Sequence, residues 1–213
     1  MQGSDRTIFL STLPASPGDR KAALAVVAFS SMLFAVAVPY AATPLAPIPA
    51  FVASYQSALA INDLLTAVLL FSQFAVLRSQ AVLLLASAYL FTTMAAIVHA
   101  LTFPGLFAPT GLLGAGPQTT VWLFMTWHGG FPLLVLGYAL SKGADGGAKV
   151  RWPAIKAILA SIAAVVAVVI LLVWVVTARH DLLPTLLSHG RYTPTMIGVV
   201  STVWGFTDRK SVV

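Results

Sequence analysis

The stretch Trp127-His128-Gly129-Gly130-Phe131-Pro132 lies inside an apolar run from about Thr119 to Leu140, and the reading of that run decides the fold. Proline has no backbone N–H, and its ring crowds the carbonyl of the fourth residue back. A helix through this run must therefore bend beside His128, at a point where Pro132 has no amide to offer. The glycines after His128 remove bulk beside its ring, so a neighbouring helix or a flat ligand can approach the backbone closely. If the chain has a functional centre, its sequence puts it here.

Composition agrees with burial in lipid. The 213 residues could form one or two soluble domains, but 59% are hydrophobic and only 8% charged, with a mean hydropathy of +0.92. Such a chain is an integral membrane protein. A pI near 10.0 would suggest nucleic acid for a soluble domain. Here the 12 Lys and Arg residues are spread over short connections between apolar runs, so they report topology and exclude a nucleic-acid partner. The chain has no cysteine, which rules out disulfides and thiolate metal sites. A metal would need His, carboxylate or backbone oxygen.

Taken in order, residues 1–21 read as a polar cytoplasmic tail and 22–206 as the membrane domain, with 207–213 a short cytoplasmic tail. The first apolar run, Ala22 to about Ala42, has the ~20 residues a crossing needs. Pro44 to Gln56, with Pro44, Pro47 and Pro49, reads as a stiff extracytoplasmic connection. The second run, Ser57 to Leu77, contains Asn62, Asp63, Thr66 and Gln73, and its spacing groups the polar residues on one side, facing protein or water. The third, Ala81 to about Leu101, puts Tyr89, Thr92, Ala96 and His99 on one face. The uncharged segment Thr102 to Gln118 is too apolar to float in water and is expected to fold back as a lid. The fourth run carries the opening motif. The fifth, Ala154 to Thr177, reads as a plain lipid-facing span, and the last, Met196 to Phe206, is about half a crossing. The fold class is thus an all-α, polytopic transmembrane bundle of five full spans plus a short sixth.

With the N-terminus inside, cytoplasmic segments hold Arg6, Arg20, Lys21, Arg78, Lys142, Lys149, Arg151, Lys156, Arg209 and Lys210, ten of the 12 basic residues. Only Arg179 and Arg191 remain outside. This predicts a multi-pass protein of the bacterial inner membrane with a cytoplasmic N-terminus.

At ~1.5 Å of rise per residue, Asp63, His99 and His128 lie roughly 9, 3 and 14 Å from the outer helix ends. All are in the outer half of the bilayer, where an ionisable side chain needs a partner or a wet cavity. Three readings of Asp63 with His128 stay open. One is a structural bond between the second and fourth helices. Another is a pocket in which a ligand or proton moves those helices. The last is a metal or haem site on His99 and His128, although a depth difference of roughly 10 Å argues against a shared iron. The candidate ligand-binding residues are Gln56, Asn62, Asp63, His99, Trp127 and His128, with His99 and His128 also the candidate metal ligands. His180 and His189 could bind zinc, but a spacing of nine in a loop is weak support. No Gly-rich phosphate loop, nucleophile elbow or HExxH is present, so nothing points to an enzyme.

The series Ser54-Tyr55-Gln56-Ser57-Ala58, Ile61-Asn62-Asp63-Leu64, His99-Ala100-Leu101-Thr102-Phe103-Pro104-Gly105, Pro109-Thr110-Gly111-Leu112-Leu113-Gly114-Ala115-Gly116-Pro117-Gln118 and Trp127-His128-Gly129-Gly130-Phe131-Pro132 resembles the fourth class of bacterial membrane-associated sensor domains, the MASE group. The resemblance runs from about Phe29 to Trp204. It implies an input module passing a signal to an output histidine kinase or diguanylate cyclase, and it names no ligand or cofactor. It also implies further helices before the output domain, whereas here the sixth helix gives way to Thr207–Val213, so a chain cut short is expected. Partners expected are the lipid bilayer, a homodimer mate and the output module. The rival classes are a transporter or haem-carrying redox protein, which needs a polar path or a second histidine pair near the inner face, and a non-catalytic structural subunit.

Overall fold

The computed structural model describes residues 16–40, 43, 48–142, 148–179, 182–188 and 191–208. Five helices have the length and apolarity to cross a membrane: α1 (Pro17–Ala37), α2 (Pro49–Leu77), α3 (Gln80–Thr102), α4 (Thr119–Ser141) and α5 (Ala154–Ala178). A two-residue hairpin, β1 (Leu187–Ser188) with β2 (Arg191–Tyr192), precedes the shorter α6 (Pro194–Asp208). The chain is therefore an all-α membrane bundle. The expected tails before residue 16 and after 208, and the loop histidines His180 and His189, lie outside the described residues.

The chain divides into a unit up to Pro47 and a second from Ile48 onward. In the first, α1 starts at Pro17, earlier than the apolar run beginning at Ala22 suggests. The reason is a capping box: Asp19 N–H donates to Ser16 Oγ at 3.2 Å and Ser16 N–H to Asp19 Oδ2 at 2.9 Å, with Pro17 in the first turn. Two of the helix's otherwise unmatched amides are thereby satisfied, so polar residues open it.

In the second unit α2 also starts early. Pro49 lies in its first turn, where a missing N–H costs nothing, and the helix runs 29 residues. The stretch to Gln56 expected as a connection is mostly helix. Arg78 ends α2 in the left-handed conformation, φ 59°, and the chain turns directly into α3.

Helix α3 is the centre of this unit. Its small residues Ala81, Ala86, Ser87, Ala88, Ala95 and Ala96 are all buried, which lets neighbouring backbones close in. The main apolar core joins Phe91, Ala95 and Ala96 of α3 to Trp127 of α4 and to Val165 and Val169 of α5, with Leu59 and Ala60 of α2 against it. Gly130 and Gly137 set the antiparallel α3–α4 contact. A Cβ on Gly130 would come 3.0 Å from the Phe91 ring, and one on Gly137 would come 2.9 Å from Leu84. The glycine beside His128 thus serves helix packing. Helix α5 turns most of its surface outward, Ile170, Leu171 and Trp174 among it, as a lipid-facing span should.

Backbone contacts tie both ends of the second unit. At the Arg78 end, Val150 N–H donates to Arg78 O (2.8 Å), Gln80 N–H donates to Ala148 O (2.9 Å), and Ser79 pairs with Lys149 as an antiparallel bridge. Arg78 Nη1 donates to Trp152 O at 2.8 Å. The α2–α3 turn is thereby stitched to the segment that leads into α5. At the Thr102 end the segment after α3 folds back, as expected for a lid: Leu112 N–H donates to Leu101 O at 2.8 Å and Thr120 Oγ1 to Thr102 O at 2.9 Å. Gly111, at φ +85°, lies against the Thr102 carbonyl, with which any Cβ there would collide. Thr119, fully buried, donates from Oγ1 to Val176 O at 2.7 Å and accepts from Gly116 N–H at 2.9 Å. Gln118 spans to the approach of the hairpin: Oε1 accepts from Leu186 N–H (2.9 Å) and Leu187 N–H (3.2 Å), and Nε2 donates to Leu187 O (2.7 Å).

Candidate functional site

Among the described residues, Gln56 and His99 form a buried hydrogen bond between two side chains. Because α2 starts at Pro49, Gln56 lies seven residues into the helix, roughly 10 Å from its start. Three residues from the end of α3, His99 lies at a comparable level. Gln56 Nε2 donates to His99 Nδ1 at 2.9 Å, which leaves the ring hydrogen on Nε2. Both side chains are buried, 6% exposed each.

Three aromatic rings surround the His99 imidazole: Phe103 from the lid at 5.8 Å between centroids, and Phe124 and Trp127 of α4 at 6.0 and 6.1 Å. The His128 ring is stacked on Phe124 at 3.8 Å, and its Nδ1–H donates to Phe124 O at 2.8 Å. Trp127 is 4.7 Å from the His128 ring. The two histidines are therefore coupled through Phe124, nearer than their depths along separate helices suggested. Sequence reasoning missed Phe124. The signal was available, since positions four apart share a helical face.

Two cavities adjoin the pair. One, about 320 Å³, is lined by Gln56, Ser57, Ala60, Ile61, Ala96 and Phe107 with neighbours of α3. The other, about 210 Å³, is lined by His99, Phe103, Phe124, Met125, Leu187 and Met196 among others. The Gln56–His99 bond lies between them, one partner in each wall.

Asp63 does not take the partner expected of it. With α2 beginning at Pro49, Asp63 is fourteen residues in, roughly 21 Å, deeper than the roughly 14 Å of His128. It is half-buried and enters no hydrogen bond or ion pair among the described residues. Asn62 is exposed, so the polar side of α2 is not uniformly turned into this unit. Thr66 and Ser72 satisfy their hydroxyls on carbonyls of their own helix, Asn62 O and Val68 O, and need no neighbour. The predicted face of α3 does turn inward: Thr92, Ala96 and His99 are buried. Among the described residues no group of three His, Cys, Asp or Glu side chains converges to hold a metal. His99 Nδ1 accepts from Gln56 and His128 Nδ1–H donates to Phe124 O.

These features define a polytopic helical membrane domain with a sequestered polar side-chain pair near an end of the bundle. The family of membrane-associated sensors, integral membrane domain (MASE4), matches residues 46–205, and the chain belongs to it. No curated protein and no solved structure matches the chain.

Proposed function

We propose that this sensor domain detects a small ligand at the Gln56–His99 pair, at the extracytoplasmic end of the bundle, and passes the event inward through α4 to a histidine kinase or diguanylate cyclase output. The proposed setting is a bacterial inner membrane with the N-terminus cytoplasmic, for which the skewed distribution of Lys and Arg is the support. The domain has no chemistry of its own in this reading.

One observation carries it: a buried side-chain hydrogen bond between α2 and α3, bordered on both sides by cavities, with the His99 ring against Phe124 and Trp127 of α4. A ligand that takes the Gln56 amide alters the bond that orients His99. The imidazole then repacks against α4, and His128, stacked on Phe124, repacks with it. A hundredfold population shift requires ~2.7 kcal/mol of differential affinity, and one desolvated hydrogen bond reaches that order. Asn62 and Asp63 contribute a polar surface on α2 in this scheme, and Trp127 a wall beside the imidazole.

The test is a fusion of the domain to an intact diguanylate cyclase. His99→Phe should lock the output at one level whatever the growth condition, with expression and melting near those of the parent. A His99→Phe fusion that responds as the parent does removes His99 from the signalling path.

A further inference from the structure

The Gln56 amide is only half matched. Its Nε2 donates to His99, but Oε1 is buried and no hydrogen-bond donor reaches it among the described residues. A buried acceptor without a donor carries the desolvation penalty of that group, so some occupant is expected to relieve it. Gln56 lines the cavity of about 320 Å³, whose remaining wall is aliphatic or aromatic apart from Ser57. An ordered water takes two to four polar partners, and the Gln56 and Ser57 side chains give it only that minimum in an otherwise apolar wall. No Lys, Arg, Asp or Glu lines the cavity, so a charged ligand would enter an apolar medium uncompensated. Ile61 and Ile97, 60% and 47% exposed, belong to the same wall, which places the mouth on the surface that meets acyl chains.

We propose that this cavity binds a neutral aromatic alcohol of the phenol or quinol class, entering laterally from the bilayer and donating its O–H to Gln56 Oε1. The proposal deepens the sensory reading above and rests on it. The apolar body fills the space between α2 and α3 under Phe107, while the hydroxyl completes the amide that orients His99. Recognition therefore needs one donor at one place on an otherwise greasy molecule.

The probes are β-naphthol and its methyl ether, which differ by a single donor. Each is dialysed to equilibrium against the full chain in phosphatidylcholine nanodiscs, with empty nanodiscs subtracting lipid partitioning. The expected result is saturable binding in which the naphthol exceeds the ether by about 10-fold, an advantage that falls to about one in Gln56→Leu and Gln56→Met. Ala60→Phe, which fills the cavity and keeps the Gln56 amide in the chain, should abolish binding of both. Either Gln56 variant suffices if the other does not fold, since both keep the volume and drop the acceptor. Saturable binding of both probes with equal affinity, or tighter binding of the ether, overturns the donor requirement and leaves the pocket standing. Absence of saturable binding for both probes overturns the pocket and the donor requirement together.

Discussion

Gln118→Leu should cost the bundle about 3 kcal/mol, because one amide makes three hydrogen bonds across a sequence gap of nearly seventy residues and each contributes about 1 kcal/mol net. Leucine keeps the length and bulk, so the loss isolates the polar contacts. Leu186 is fully buried, and its N–H is left without an acceptor, which pushes the cost upward. Spread over a domain of this size, about 3 kcal/mol corresponds to a drop in Tm of about 6 to 12 °C, read by circular dichroism in detergent. Gln118→Glu separates the contributions. Its carboxylate still accepts from Leu186 and Leu187 but meets the Leu187 carbonyl oxygen where Nε2 donated, so it should fall between wild type and Leu. Amide exchange at Leu186 and Leu187 should accelerate in the Leu variant while α3 stays protected. If Gln118→Leu melts within 1 to 2 °C of wild type, roughly, and exchange at those amides is unchanged, the tether between the head of α4 and the hairpin is not a stabilising element.

Thr119→Val removes a hydroxyl that both donates to Val176 O and accepts from Gly116 N–H, and should destabilise by about 1 to 3 kcal/mol in the same melt, with Thr119→Ser recovering most of it. Gly111→Ala forces a Cβ into the Thr102 carbonyl at a left-handed φ; a loss of at least about 2 kcal/mol and faster exchange at Leu112 are expected. Asp63→Asn should leave the melt unchanged or raise it, because Asp63 has no partner among the described residues to lose and a carboxylate in a span is costly. Gly130→Leu should abolish folded yield by driving α4 away from Phe91, which size-exclusion chromatography reports directly.

The spans and their order were legible in the sequence because each requirement is local: about twenty apolar residues, basic residues in the connections, and turn residues between. Helix starts were less so. The apolar pattern begins at Ala22 and Ser57, but Ser16-Pro17 with Asp19 and the lone Pro49 begin the helices earlier, because caps and proline act on the backbone and leave no hydropathy signal. That offset propagated to the site. Counted from Ser57, Asp63 came level with the histidines; counted from Pro49, Gln56 does. Gln56 and His99 were both among the candidates, yet their pairing depended on a helix register that composition does not encode. The four-residue spacing of Phe124 and His128 was legible, but the contact of Phe124 with His99 was not, because an aromatic residue in an apolar run has many equivalent uses.

The stitching of the Arg78 turn to the strand-like segment at Lys149 has a mechanical consequence. The turn between α2 and α3 is fastened there to the lead into α5, whereas near the other extremity the Gln56 and His99 side chains join α2 to α3, each in the wall of a hollow. A stimulus that breaks this amide–imidazole contact should therefore separate α2 from α3 there and leave the fastened turn in place. Paired spin labels on α2 and α3 near Gln56 and His99 should report a change in distance on stimulation, while a pair set across Ser79 and Lys149 stays constant.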